Sequence, residues 1–170
     1  MLYTTELEEM AIHLREKLEI DSGIILNPSH LNELSEKIQK HFKFFSIVQT
    51  KGLSKLISNN QKYFIMNIFG DEESRFYDLV EQFTFAIALD KSLLTYGQLH
   101  HSEFMFPRIW SVWQDKAHYL MLAFMMPQKA FCSEMSKYLC EDGQAIRIYN
   151  MQENVNKYCY RRGLDLKLWS

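Results

Sequence analysis

One block interrupts an otherwise helical pattern and constrains most strongly what this chain can fold into. From Phe42 to Val48, and again from Lys62 to Phe69, the residues are mainly β-branched or aromatic, and each stretch is shorter than an ordinary helix. Both read as strands of a small sheet. The polar connection between them, Lys51 to Gln61, carries Gly52 and Asn59-Asn60 and leaves room for one further strand or a long hairpin.

Helical spacing governs the rest. Leu7, Met10, Ile12, Leu14 and Leu18 define an amphipathic helix from Thr5 to Glu19, with Thr5 and Glu8 placed as a capping box. A connector from Asp21 to Pro28 follows, and Ser29 is expected to cap a second helix reaching His41, with Leu31, Leu34 and Ile38 inward. After Gly70 the acidic triplet Asp71-Glu72-Glu73 suits a helix N-terminus. Phe76, Leu79, Val80, Phe83, Ile87 and Leu94 then form the broad apolar face of a central helix running to about Lys91. Leu93 to Pro107 reads as a loop. A strongly apolar helix from Ile109 to Met126 stops at Pro127, which suits the first turn of another helix, Gln128 to Tyr138. Glu141-Asp142-Gly143 is expected to turn, followed by a short helix, Gln144 to Tyr149. A last helix from Gln152 to Arg162 is expected to end on Gly163.

At 170 residues, with 47% hydrophobic and 24% charged residues, the chain suits one domain able to bury a core without disulfides. A net charge of -2 argues against a protein that works by general attraction to phosphates. Cys132, Cys140 and Cys159 are odd in number and lack CxxC spacing, so reduced thiols are expected. No apolar run reaches the length of a membrane span, and the acidic start differs from a signal peptide. A cytoplasmic protein with no membrane partner is the expectation.

Candidate chemistry is sparse. His100, His101 and Glu103 are close together in one loop and His118 lies on the following helix, but adjacent histidines diverge, whereas a zinc helix needs two ligands one turn apart. His13, His30 and His41 sit among charged residues and read as surface groups. Cys132 and Cys140 have no histidine nearby and read as small core residues. No P-loop, GxGxxG or GxSxG is present. The Met-rich and aromatic stretch Phe104 to Phe131 reads as core in preference to an adaptable groove. Residues 145–164 have the outline of a helix-turn-helix, with Lys157, Arg161 and Arg162 as its candidate nucleic-acid contacts. The acidic balance of the chain makes a structural helix pair the stronger reading.

The order of these features resembles the ImmA/IrrE family of zinc-dependent peptidases. The resemblance rests on Ala117-His-Tyr-Leu-Met-Leu-Ala-Phe-Met-Met-Pro127 with Gln-Lys-Ala-Phe131, on the closing segment Met151 to Leu164, and on Asn67 and Arg75, and it covers nearly the whole chain. It implies an HExxH motif on the central helix, with two histidines on zinc and a glutamate as base. The matching positions read Glu81-Gln82-Phe83-Thr84-Phe85. Phe85 cannot coordinate a metal and the Gln82 amide cannot act as a base near neutral pH. Asp115 stands near the place of the family's third ligand, but two carboxylates would not reproduce a zinc site.

What the resemblance implies is an α+β fold: a zincin-like core over residues 1–140, with helices packed on a small, mostly antiparallel sheet, and a short C-terminal helical pair over residues 141–170 on the same core. The function expected from it is that of a catalytically inactive relative, without zinc or another cofactor. It would bind a protein partner, a helix-turn-helix repressor of a phage or mobile element, through Glu81, Gln82, Phe85, Asp115 and His118. The competing expectations are an active metal-dependent peptidase with ligands rearranged through His100, His101, Glu103 and His118, and a DNA-associated regulator using the C-terminal pair.

Overall fold

The first helix, α1 (Thr4–Lys17), buries Leu7, Ala11 and Leu14 along one stripe. The structure is a computed structural model and describes residues 4–43, 45–49, 55–59, 63–91, 107–139 and 153–168. Helix α1 closes on a left-handed residue that is not glycine, Glu19 with φ 56°. The Ile20 N–H bonds the Arg15 carbonyl at 2.9 Å and the Glu19 N–H that of Glu16 at 3.0 Å, which satisfies two terminal carbonyls. The second helix, α2 (Leu31–His41), is preceded by a short 3-10 turn, Pro28–His30. Asn27, not Ser29, is the capping residue. Its Oδ1 accepts the Ser29 N–H at 3.0 Å, and Pro28, which lacks an N–H, occupies the first turn at no cost.

Three strands follow: β1 (Phe45–Gln49), β2 (Lys55–Asn59) and β3 (Tyr63–Ile68). Their order is β1-β3-β2, so the last strand lies in the middle. Strand β2 pairs antiparallel with β3, Lys55 opposite Asn67, whereas β1 pairs parallel with β3, Phe45 opposite Phe64. The sheet is therefore mixed where a mostly antiparallel one was expected. Alternation of residue types identifies strands but does not choose the edge against which each pairs.

Gly70 turns the chain from β3 into α3 (Glu72–Lys91) with φ +99°, and a Cβ there would lie 2.9 Å from that of Ser74. Asp71 caps the helix, its Oδ1 accepting the Ser74 N–H at 2.8 Å. This bond holds its carboxyl below the usual carboxylate range. Helix α3 packs on β3 and on α4 (Pro107–Met125). Phe83 joins the layers, with ring centroids 5.3 Å from Phe42, 5.4 Å from Phe45 and 5.6 Å from Phe124. Helix α5 (Gln128–Leu139) begins just after Pro127, whose carbonyl accepts the Phe131 N–H at 2.9 Å.

The last described helix is α6 (Glu153–Asp165). Gly163 lies inside it, and the expected stop there is corrected. The left-handed closing residue is Lys167, φ 56°, with the Leu168 N–H on the Gly163 carbonyl at 2.9 Å. The expected loop from Leu93 to Pro107 lies outside the described residues up to residue 106, and Pro107 opens α4. The expected helix Gln144 to Tyr149 and its preceding turn are also outside them.

From Leu120 to Met126 every residue is buried, so the C-terminal carbonyls of α4 end inside protein. Such carbonyls must be met by donors. Two fully buried arginines do this. Arg15 donates through Nη1 to the Phe124 carbonyl and through Nη2 to those of Asp21 and Ile24, each at 2.6 Å. Arg162 donates through Nε to the Met126 carbonyl at 2.9 Å and places Nη1 and Nη2 on the Glu8 carboxylate at 2.6 and 2.9 Å. Tyr119 completes the group, its hydroxyl donating to Glu8 Oε1 at 2.8 Å. Positive charge at a helix C-terminus is also favoured by the helix dipole. Burial pulls Arg15 down to about 10, with Asp21 opposing, which leaves it charged at neutral pH.

Candidate functional site

The residues singled out on α3 face different ways. Glu81 is exposed, Gln82 is buried and Phe85 is half-buried against the core. Thr84, also buried, turns its hydroxyl back onto the Val80 carbonyl at 2.8 Å. On α4, Asp115 is exposed and His118 half-buried. Two metal ligands one turn apart at positions 81 and 85 would need a donor atom that Phe85 lacks. Zinc does not fit these residues. Among the described residues no three His, Cys, Asp or Glu side chains gather where they could hold a metal ion. His100, His101 and Glu103 lie outside the described residues.

A different arrangement occupies the junction of α3, α4 and α6. Tyr158 of α6 stacks with Tyr77 of α3, centroids 4.6 Å apart at 28°, and with His118 of α4, 6.4 Å apart at 30°. Tyr77 lies one turn before Glu81, so both belong to the same side of α3. Burial raises the Tyr158 hydroxyl above its ordinary value, and the carboxylates of Glu81, Asp78 and Glu73 add to the effect. Tyr77 is raised for the same first reason, with Glu73 contributing. Glu81 itself keeps contact with solvent, yet partial enclosure and the neighbouring Asp78 carboxylate hold it above the usual carboxylate range. His118 is lowered, first by burial and next by Arg161, with Asp165 opposing.

The junction therefore gathers Glu81 and His118 around a tyrosine pair that sequence reasoning did not single out. Spacing connects Tyr77 to Glu81, but nothing local connects Tyr158 to either. Asp165 was also missed. Its side chain is nine-tenths buried, Oδ1 accepts from Arg161 Nε at 3.3 Å, and Oδ2 has no hydrogen-bond partner among the described residues.

The candidate nucleic-acid contacts separate. Lys157 and Arg161 are exposed, but Arg162 is fully buried, with its donors on Glu8 and the Met126 carbonyl. Its burial does not fit the phosphate contact of the DNA alternative: the same guanidinium cannot face solvent while it closes α4. The buried Cys159 thiol lies 3.8 Å from the Met126 sulfur and is pushed up to about 11 by burial, the state of an inert core thiol. Among the described residues no helix is long and apolar enough to cross a membrane.

Set against family models, curated proteins and solved structures, the chain matches none.

Proposed function

We propose that this chain is a binding protein, a zincin-like relative of the ImmA/IrrE peptidases that works by contact and not by metal-assisted hydrolysis. Its partner is a protein, a helix-turn-helix repressor of a phage or mobile element. The observation that carries the reading is at Phe85: the position where a second zinc histidine would stand holds an apolar ring packed against the core. Gln82, in the place of the general base, is buried and unable to take a proton near neutral pH. The exposed Glu81 lies at the same place beside the half-buried Tyr158, which stacks on Tyr77, and a carboxylate next to an aromatic ring suits recognition of a partner's basic and apolar side chains. The DNA alternative loses support with the burial of Arg162.

The test is metal analysis of the purified protein, followed by incubation and co-elution with a purified helix-turn-helix repressor of phage or mobile-element origin. The expected result is no stoichiometric zinc, an intact repressor, and a complex weakened about tenfold or more by Glu81→Lys, as loss of a well-placed interfacial charge implies. One tightly bound zinc per chain, or chelator-sensitive cleavage of the repressor, overturns the proposal.

A further inference from the structure

The final helix is anchored unequally along its length. Near its end, Arg162 is locked to Glu8 and to the Met126 carbonyl. Nearer its start, at Tyr158, it meets α3 and α4 through rings, with Tyr77 at 4.6 Å and His118 at 6.4 Å. Tyr158 thereby covers Tyr77, one turn before the exposed Glu81 on the same side of α3.

His118 is the one titratable group of this ring set that changes charge near neutral pH. The charged groups acting on it are Lys157, Arg161 and Asp165 from α6 and Asp115 from its own helix. From α3, Glu73, Asp78 and Glu81 act on Tyr158. Lys157 and Arg161 are one helical turn apart, so an imidazolium at position 118 would meet two cations from α6. The carboxylate opposing them, Asp165, already accepts from Arg161, and its Oδ2 is the unpartnered, buried oxygen.

We propose that His118 is a proton-operated latch: its neutral ring holds Tyr158 over Tyr77, beside the exposed Glu81, and its protonation loosens the Tyr158 stretch of α6 and adds the uncovered Tyr77 ring to the face that meets the protein partner. On the charged ring, repulsion by Lys157 and Arg161 outweighs the attraction of Asp165, whose Oδ1 already accepts from Arg161, and drives the Tyr158 stretch of α6 away from the imidazole. The sign follows from burial, which holds His118 below the ordinary 6.5. Its contribution to docking is fully present above that ordinary value and is lost as pH falls from there through the folded-state value.

The latch rests on the reading that this face meets the partner, but it can be tested without one. Hydrogen exchange of the peptide spanning residues 153–168, corrected for intrinsic rates, is compared between about pH 7.5 and about pH 5.5, which brackets imidazole titration. A several-fold loss of protection confined to α6 is expected in the native chain and absent in His118→Phe, which keeps a ring without a proton. No change, an equal change in the variant, or an equal change in α1 overturns the latch. NMR titration of the native chain provides a second readout should the variant fail to fold. The Tyr158 ring signals should move together with His118, at a midpoint below 6.5; a midpoint at or above it, or still Tyr158 signals, also overturns the latch. A repressor that fails to bind leaves these measurements untouched, so the two proposals fail separately.

Discussion

The two places where α6 meets the rest of the molecule use buried polar groups in opposite ways. At Arg162 a full set of donors meets a carboxylate, a helix-end carbonyl and a tyrosine-bonded oxygen. At the ring junction a half-buried histidine lies below its ordinary value, a buried carboxylate keeps one oxygen without a hydrogen-bond partner among the described residues, and the carboxylates of Glu81, Asp78 and Glu73 act together on Tyr158. Satisfied networks rigidify and specify a fold, whereas groups held away from their ordinary protonation states are common where proteins bind or switch. The Arg162–Glu8 clasp is accordingly read as structure, and the junction as the candidate site. Arg15, which meets other carbonyls near the end of α4, keeps one flaw: its Nε has no acceptor among the described residues.

The largest effect should come from Glu8→Ala. It leaves the Arg162 guanidinium buried without its carboxylate, at a cost of about 3–5 kcal/mol read from urea unfolding. A loss below about 1 kcal/mol, the level of a surface pair, would remove the distinction drawn here. Arg15→Met comes next: it keeps most of the packing but strips donors from the carbonyls of Phe124, Asp21 and Ile24, and should cost about 3 kcal/mol.

Asp165→Asn should have the smallest effect, in the opposite direction. Burial is the main reason its carboxyl lies above the ordinary 3.8, with Arg161 and Arg162 opposing. The folded chain thus holds that proton more tightly than the unfolded one, and the stability this group contributes at low pH is lost as pH rises through its folded-state value. At neutral pH the amide should match or exceed the carboxylate by up to about 1 kcal/mol. The advantage should vanish at low pH, where both states of the native chain are protonated. Unfolding curves at neutral and acidic pH would show this. A clear loss of stability at neutral pH would make Asp165 part of a second clasp and break the comparison.

Much of the local structure was legible because it depends on neighbours in sequence. The apolar spacing of Phe76, Leu79, Val80, Phe83 and Ile87 marked α3, and these residues are buried as expected. The strand segments and the room for a third between them were also readable. Helix ends were less so, since Glu19 and Lys167 take the left-handed positions for which Gly163 was the obvious candidate. A non-glycine residue there costs on the order of 1 kcal/mol, which favourable packing of the following chain can offset. The candidate site was legible only in part. Glu81, Gln82 and Phe85 were found through the resemblance, whereas Tyr77, Tyr158 and Asp165 had no pattern to announce them.

By itself the sequence determined where helices and strands would form, because periodicity and capping are read over a few residues. Only the tertiary structure decided that β1 runs parallel to β3, that Arg162 faces inward, and that Tyr158 covers Tyr77. Those outcomes depend on groups far apart in the chain, Glu8 with Arg162 and Tyr77 with Tyr158, whose pairing is selected by the burial of whole elements. An arginine on a helix looks the same in sequence whether it meets solvent or the closed end of another helix.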